Sequence, residues 1–233
     1  AMQSSFATLD GVLPDNIGST VQDIDLLAGL EIRRPEKARS GFYVDSAGAV
    51  LPTAAAVGQC TRITLNEDGD ADIAATDAAR GLALLRPQSP LAPLAVARLA
   101  QVEPRLQSDI AISGFSFGGI LGAPSLTYGT LADVRGLDGD PDVQRLSVAS
   151  APGAAGGPVF DENGQVAGML LGLTPGARQL PGDVAVAADA PILAAFLEAN
   201  GLSARSDGGG DDLAPEVLTL LAADLTVLVS CWN

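Results

Sequence analysis

The sequence contains no histidine. That absence excludes a serine–histidine–aspartate triad, a cysteine–histidine pair, a histidine-ligated zinc and an imidazole general base. Aromatic residues make up only 4% of the 233 positions, so a core must be built from Ala, Val, Leu and Ile. Lysine occurs once, as Lys37, in the charged run Arg33 to Lys37 that reads as a solvated strand edge. No apolar run approaches the roughly 20 residues of a spanning helix. The most apolar stretch, Val217 to Val229, is short and interrupted by Asp224. A signal-type segment is also missing, although a leader removed ahead of Gln3 is compatible with the sequence. No cluster or motif calls for a metal or a cofactor.

What is present is acidic. Twenty-eight Asp and Glu against thirteen Lys and Arg give a formal charge of −15, which repels nucleic acid and anionic lipid and favours neutral or basic partners. Two cysteines, Cys60 and Cys231, lie too far apart for a CxxC motif. They read either as two buried thiols or as one disulfide pinning the C-terminal segment to the body. The disulfide requires an oxidising compartment, periplasmic or extracellular.

Twenty-seven Gly and fifteen Pro punctuate short β-type runs, the pattern of an all-β chain. Such runs fall at Leu30–Arg33, Ser40–Val44, Ala49–Thr53, Arg62–Leu65, Asp72–Thr76 and Leu82–Leu85. After a Pro-rich crossing from Arg86 to Val96 they resume at Asp109–Gly114, Ser125–Val134, Arg145–Val148, Gly157–Phe160, Gln165–Leu173 and Val184–Val186. Asp45-Ser46-Ala47-Gly48 and Asp161-Glu162-Asn163-Gly164 are the clearest hairpin turns. Asp189 to Ala199 reads as a helix capped near Ala188-Asp189 and stopped at Gly201. A Gly/Asp/Ser linker, Ser203 to Asp212, leads to a short helix from Ala214 and a last strand from Leu225 to Ser230. The expected division is an extension over 1–29, a double-barrel domain over 30–203 (first barrel 30–96, second 97–203) and a tail over 204–233.

Four segments in order resemble the trypsin-like serine peptidases, and most of all their bacterial periplasmic branch: Ser40 to Val57, Ala75 to Arg86, Ser113 to Gly118 with Leu126 to Leu131, and Ala151 to Gly168. The resemblance covers about residues 30 to 203. It implies two six-stranded antiparallel β-barrels side by side, with a C-terminal helix. It also implies that the family's histidine, aspartate and serine would fall on Ala55, Gly81 and Ala155, none of which carries a nucleophile or a base. Thr53 and Ser150 are hydroxyls near the expected site, with no group to deprotonate them.

From the resemblance, Gly153 and Ala155 are the backbone amides that would face a substrate carbonyl oxygen, although the same glycines suit any tight turn. Ala149 would stand at the pocket wall, and Leu170, Leu171 and Gly172 on the strand to which an extended peptide adds itself. The expected reading is a non-enzyme: a pseudoprotease binding protein or extended peptide in a bacterial cell envelope. A serine endopeptidase with engineered alanines and a structural domain of a larger protein are the competing readings.

Overall fold

The computed structural model describes residues 34–66, 69–102, 104–137, 139–172, 180–204 and 210–233. The run Leu30–Arg33, the whole of the extension over 1–29 and part of the linker lie outside them. The strands close into two antiparallel barrels of six.

The first barrel uses β1 (Lys37–Tyr43), β2 (Val50–Pro52), β3 (Arg62–Leu65), β4 (Gly69–Asp77) and β5 (Leu82–Pro87). Its sixth strand is the last of the chain, β12 (Thr226–Trp232), inserted between β1 and β3. β12 runs antiparallel to both, with Lys37 opposite Cys231 on one side and Ile63 opposite Cys231 on the other. The first barrel is thus built from two stretches far apart in sequence, 37–87 and 226–232, and the C-terminal segment is an integral wall of it.

A barrel leaves no unpaired edge, and β12 supplies the partner that β1 and β3 would otherwise lack. The Cys60–Cys231 disulfide fastens it, with the two Cα atoms 5.3 Å apart. A second tie is internal: the Ser113 and Thr226 hydroxyls hydrogen-bond at 2.7 Å in the buried seam between the barrels.

The second barrel uses β6 (Asp109–Gly114), β7 (Ser125–Asp133), β8 (Val143–Ser147), β9 (Pro158–Phe160), β10 (Val166–Leu170) and β11 (Val184–Asp189). Aliphatic side chains fill both interiors, as the shortage of aromatics requires. Val50, Leu51, Leu84, Leu85, Val227 and Val229 are buried in the first, and Ile112, Leu131, Leu146, Val159, Leu170 and Ala187 in the second.

Among the described residues three helices join these strands: α1 (Ala54–Val57), α2 (Ala190–Ala199) and α3 (Pro215–Leu225). Asp189 caps α2 by accepting from Ala190 N–H, and Gly201 follows its end at a φ of +77°. The predicted turns form as the sequence implies. Asp45 Oδ1 accepts from Ala47 and Ala49 N–H, and Asp161 Oδ1 from Asn163 and Gln165 N–H. Lys37 departs from its expectation on a solvated strand edge: β1 is paired on both sides, and the Lys37 Nζ donates to the Gly58 carbonyl at 3.1 Å, at the end of α1.

Candidate functional site

The two barrels meet where α1, the β4–β5 turn, the Pro152–Ala154 turn and the end of β10 converge. Ala54 N–H donates to the Gly81 carbonyl at 2.8 Å, so the segments bearing Ala55 and Gly81 are held side by side. Ala55 is exposed and Gly81 half-buried, with a φ of +72° that suits glycine. Beside it, Asp77 Oδ1 accepts from the Ala79 and Arg80 amides, and the Arg80 guanidinium reaches both Asp77 and Asp142. These bonds, led by the Arg80 N–H, hold the Asp77 carboxyl below its ordinary range. Asp142 precedes β8, so Arg80 also links the barrels.

Across the seam stands a 3-10 turn, Pro152–Ala154, leading into Ala155-Gly156-Gly157. Close approaches define its position. A Cβ on Gly153 would lie 2.3 Å from the Phe115 carbonyl, one on Gly156 2.1 Å from the Ser40 carbonyl, and one on Gly157 1.9 Å from the Ser113 carbonyl. No other residue fits at these three positions without moving backbone. Ser40 supplies the remaining ties, its N–H donating to the Ala155 carbonyl at 3.0 Å and its hydroxyl to the Gly153 carbonyl at 2.9 Å.

The orientation of the Ala155 amide follows from Pro152. Proline fixes φ at the first position of the turn, and the turn closes with Ala155 N–H donating to the Pro152 carbonyl at 3.4 Å. In this conformation the Ala155 N–H points back into the turn. The Gly153 amide lies in the peptide plane shared with that same Pro152 carbonyl, so rotation of one plane changes both.

β10 completes the arrangement. Leu170 exchanges backbone bonds with the turn, N–H to the Gly157 carbonyl at 2.9 Å and carbonyl from Gly156 N–H at 2.8 Å. Leu171 N–H then pairs with the Val186 carbonyl on the β11 side at 2.9 Å, while the turn has curved away on the other. Exposed Gly172 follows; a Cβ there would come 3.4 Å from the Ala155 Cβ, and one on Gly81 would come 3.8 Å from Leu171 Cδ2. The structure thus brings Gly81, Leu171, Gly172 and Ala155 together, with Ala55 on the adjoining helix. Ala149 lies exposed between β8 and the turn, after buried Val148. Thr53 is buried and Ser150 exposed. Among the described residues no group of His, Cys, Asp or Glu could hold a metal. Reasoning from sequence placed Ser40 at the head of a strand and of a family-like segment but gave it no role.

Residues 39–169, more than half of the chain, match the model of the trypsin-like peptidase domain. The chain belongs to that family. Solved structures share the double barrel. The Rv3671c protease in an inactive form superposes with a TM-score of 0.57 at 23% identity, covering 71% of this chain and 87% of that one. A serine-to-alanine mutant of Rv3671c from Mycobacterium tuberculosis gives 0.57 at 24%, covering 71% and 85%. A serine endoprotease from Yersinia pestis gives 0.57 at 15%, covering 70% and 57%. At these identities the likeness is one of fold.

A curated relative, the uncharacterized protein y4bJ of Sinorhizobium fredii, is 28% identical over 213 residues, 84% of this chain. The chain spans only about a third of the length of that relative (33%). The expectation of a non-enzyme is corrected here. The trypsin-like peptidase match, with protease structures as neighbours, points to a serine peptidase.

Proposed function

We propose that this trypsin-like peptidase domain binds an extended peptide across the barrel seam, where Ala55, Gly81 and Ala155 stand. One observation carries the reading. Among the described residues the β10 strand has no partner on the turn side beyond Leu170, and the next exposed residue, Gly172, lies against Ala155. A strand paired on one edge and open on the other takes up an extended chain by main-chain hydrogen bonds, and this needs no reactive side chain. The small residues at 81, 155 and 172 leave room for it.

The formal charge of −15 supports a neutral or basic partner, and the Cys60–Cys231 disulfide supports a site of action outside the reducing cytoplasm, such as a cell envelope. The test is fluorescence anisotropy of a short, uncharged, fluorescein-labelled peptide titrated with the protein and with Gly172→Phe, which fills the space beside Ala155. Saturable binding that Gly172→Phe weakens by about tenfold or more supports the reading. Equal binding by both proteins overturns it.

A further inference from the structure

We infer that the loop from Phe115 to Pro124 is the surface that selects the bound chain, and that it selects apolar, uncharged side chains. The inference rests on the peptide-binding reading above and names the substrate class of that same seam. In a chain of charge −15, the stretch from Ile110 to Ala132 contains no charged residue. Its middle is the β6–β7 loop, where Phe117, Ile120 and Leu121 are 61%, 86% and 61% exposed. Three large apolar side chains exposed within five residues of one loop form a patch rather than scattered surface residues.

The loop is built, not slack. Successive turns close it, with Gly118 N–H donating to the Phe115 carbonyl at 2.9 Å and Gly122 N–H to the Gly119 carbonyl at 2.9 Å. Gly118 and Gly119 take φ of +62° and +90°. It also leans on the first barrel: a Cβ on Gly119 would meet Leu228 Cδ2 at 2.6 Å, and one on Gly118 would meet the Ala38 Cβ at 3.6 Å.

What covers this patch follows from its continuity with the seam. The loop begins at Phe115, whose carbonyl presses on Gly153 and whose N–H donates to Ser40 Oγ at 2.8 Å, the same hydroxyl that donates to the Gly153 carbonyl. Gly172 adjoins the turn at Ala155, and the loop adjoins it at Gly153. An extended chain entering along Leu171 and Gly172 therefore passes the turn and meets Phe117, Ile120 and Leu121 next. These side chains offer no partner to a charge and would desolvate one at a cost.

The experiment uses two fluorescein-labelled peptides of equal length, one with leucines at alternate positions among serines and one with glutamines in place of the leucines. Anisotropy is measured with the wild-type protein and with Ile120→Ser/Leu121→Ser; both sites are exposed, so the fold is undisturbed. The inference expects the leucine peptide to bind the wild type more tightly, and the double variant to lose about tenfold on that peptide alone. Equal binding of the leucine peptide by both proteins overturns the selection while leaving the peptide-binding reading intact. No binding of either peptide by the wild type overturns both. A wild-type dimer in sedimentation that the double variant converts to monomer also overturns it, because the loop would then be an interface between copies.

Discussion

The Ser40 hydroxyl donates to the Gly153 carbonyl at 2.9 Å and accepts from Phe115 N–H at 2.8 Å, so one buried side chain on β1 holds two segments of the second barrel. The Pro152–Ala154 turn and the apolar loop share this anchor. The backbone carbonyls of Phe115, Ser40 and Ser113 crowd that turn, which is why Gly153, Gly156 and Gly157 cannot carry a Cβ in place.

Ser40→Ala removes both bonds and leaves a buried Phe115 N–H and Gly153 carbonyl unpaired. The expected loss is about 1–3 kcal/mol per unsatisfied group, read from urea unfolding. Peptide affinity should fall as well, because the turn loses its reference to the first barrel. Ser113→Ala, which breaks the comparable buried bond to Thr226, should destabilise without that fall. A Ser40→Ala protein with unchanged stability would show that the hydroxyl does not anchor the turn.

Reduction of Cys60–Cys231 should lower stability substantially. The bridge joins residues 171 apart in sequence, and the chain-entropy model gives about 5 kcal/mol for such a loop as an upper figure. Urea midpoints with and without reductant measure it. Removal of residues 226–233 should be worse than reduction, because β1 and β3 then lose their common neighbour. That truncation is expected to abolish the near-ultraviolet circular dichroism of a packed core.

Acid should act through Asp77. Its pKa is lowered in the fold, so its contribution is present above the ordinary value of 3.8 and lost as the pH falls through the folded value. Asp77→Asn should therefore flatten the pH dependence of stability below about pH 4, and leave its slope near neutrality unchanged. A wild-type and variant pair with parallel profiles from pH 2 to 6 would remove this group from the account.

Much of the fold was legible in the sequence because barrels repeat a local pattern. Apolar runs between Gly, Asp and Pro gave strands at positions such as 62–65 and 109–114, and Asn163-Gly164 gave its turn, with Gly164 at a φ of +74°. The neighbour of a strand is another matter. β12 is buried on nearly every residue and shows no alternation, so nothing in Thr226–Trp232 states that it lies between β1 and β3. Lys37 read as part of a solvated strand edge because its partner, the Gly58 carbonyl, is a backbone atom that no side-chain pattern reveals. The small residues at 55, 81 and 155 were visible from the start. The backbone bond between Ala54 and Gly81 and the Ser40 anchor needed the folded chain.

The most direct test of peptide binding across the seam is a nitrogen–proton correlation spectrum of the labelled protein, titrated with the leucine–serine peptide. The account predicts the largest shifts at the amides of Gly153, Ala155, Leu171 and Gly172, with smaller ones through Phe117 to Leu121. The exposed face of α3 at Val217 and Leu220 should stay unperturbed. Shifts confined to α3, with the Ala155 and Gly172 amides unmoved at saturation, would contradict it.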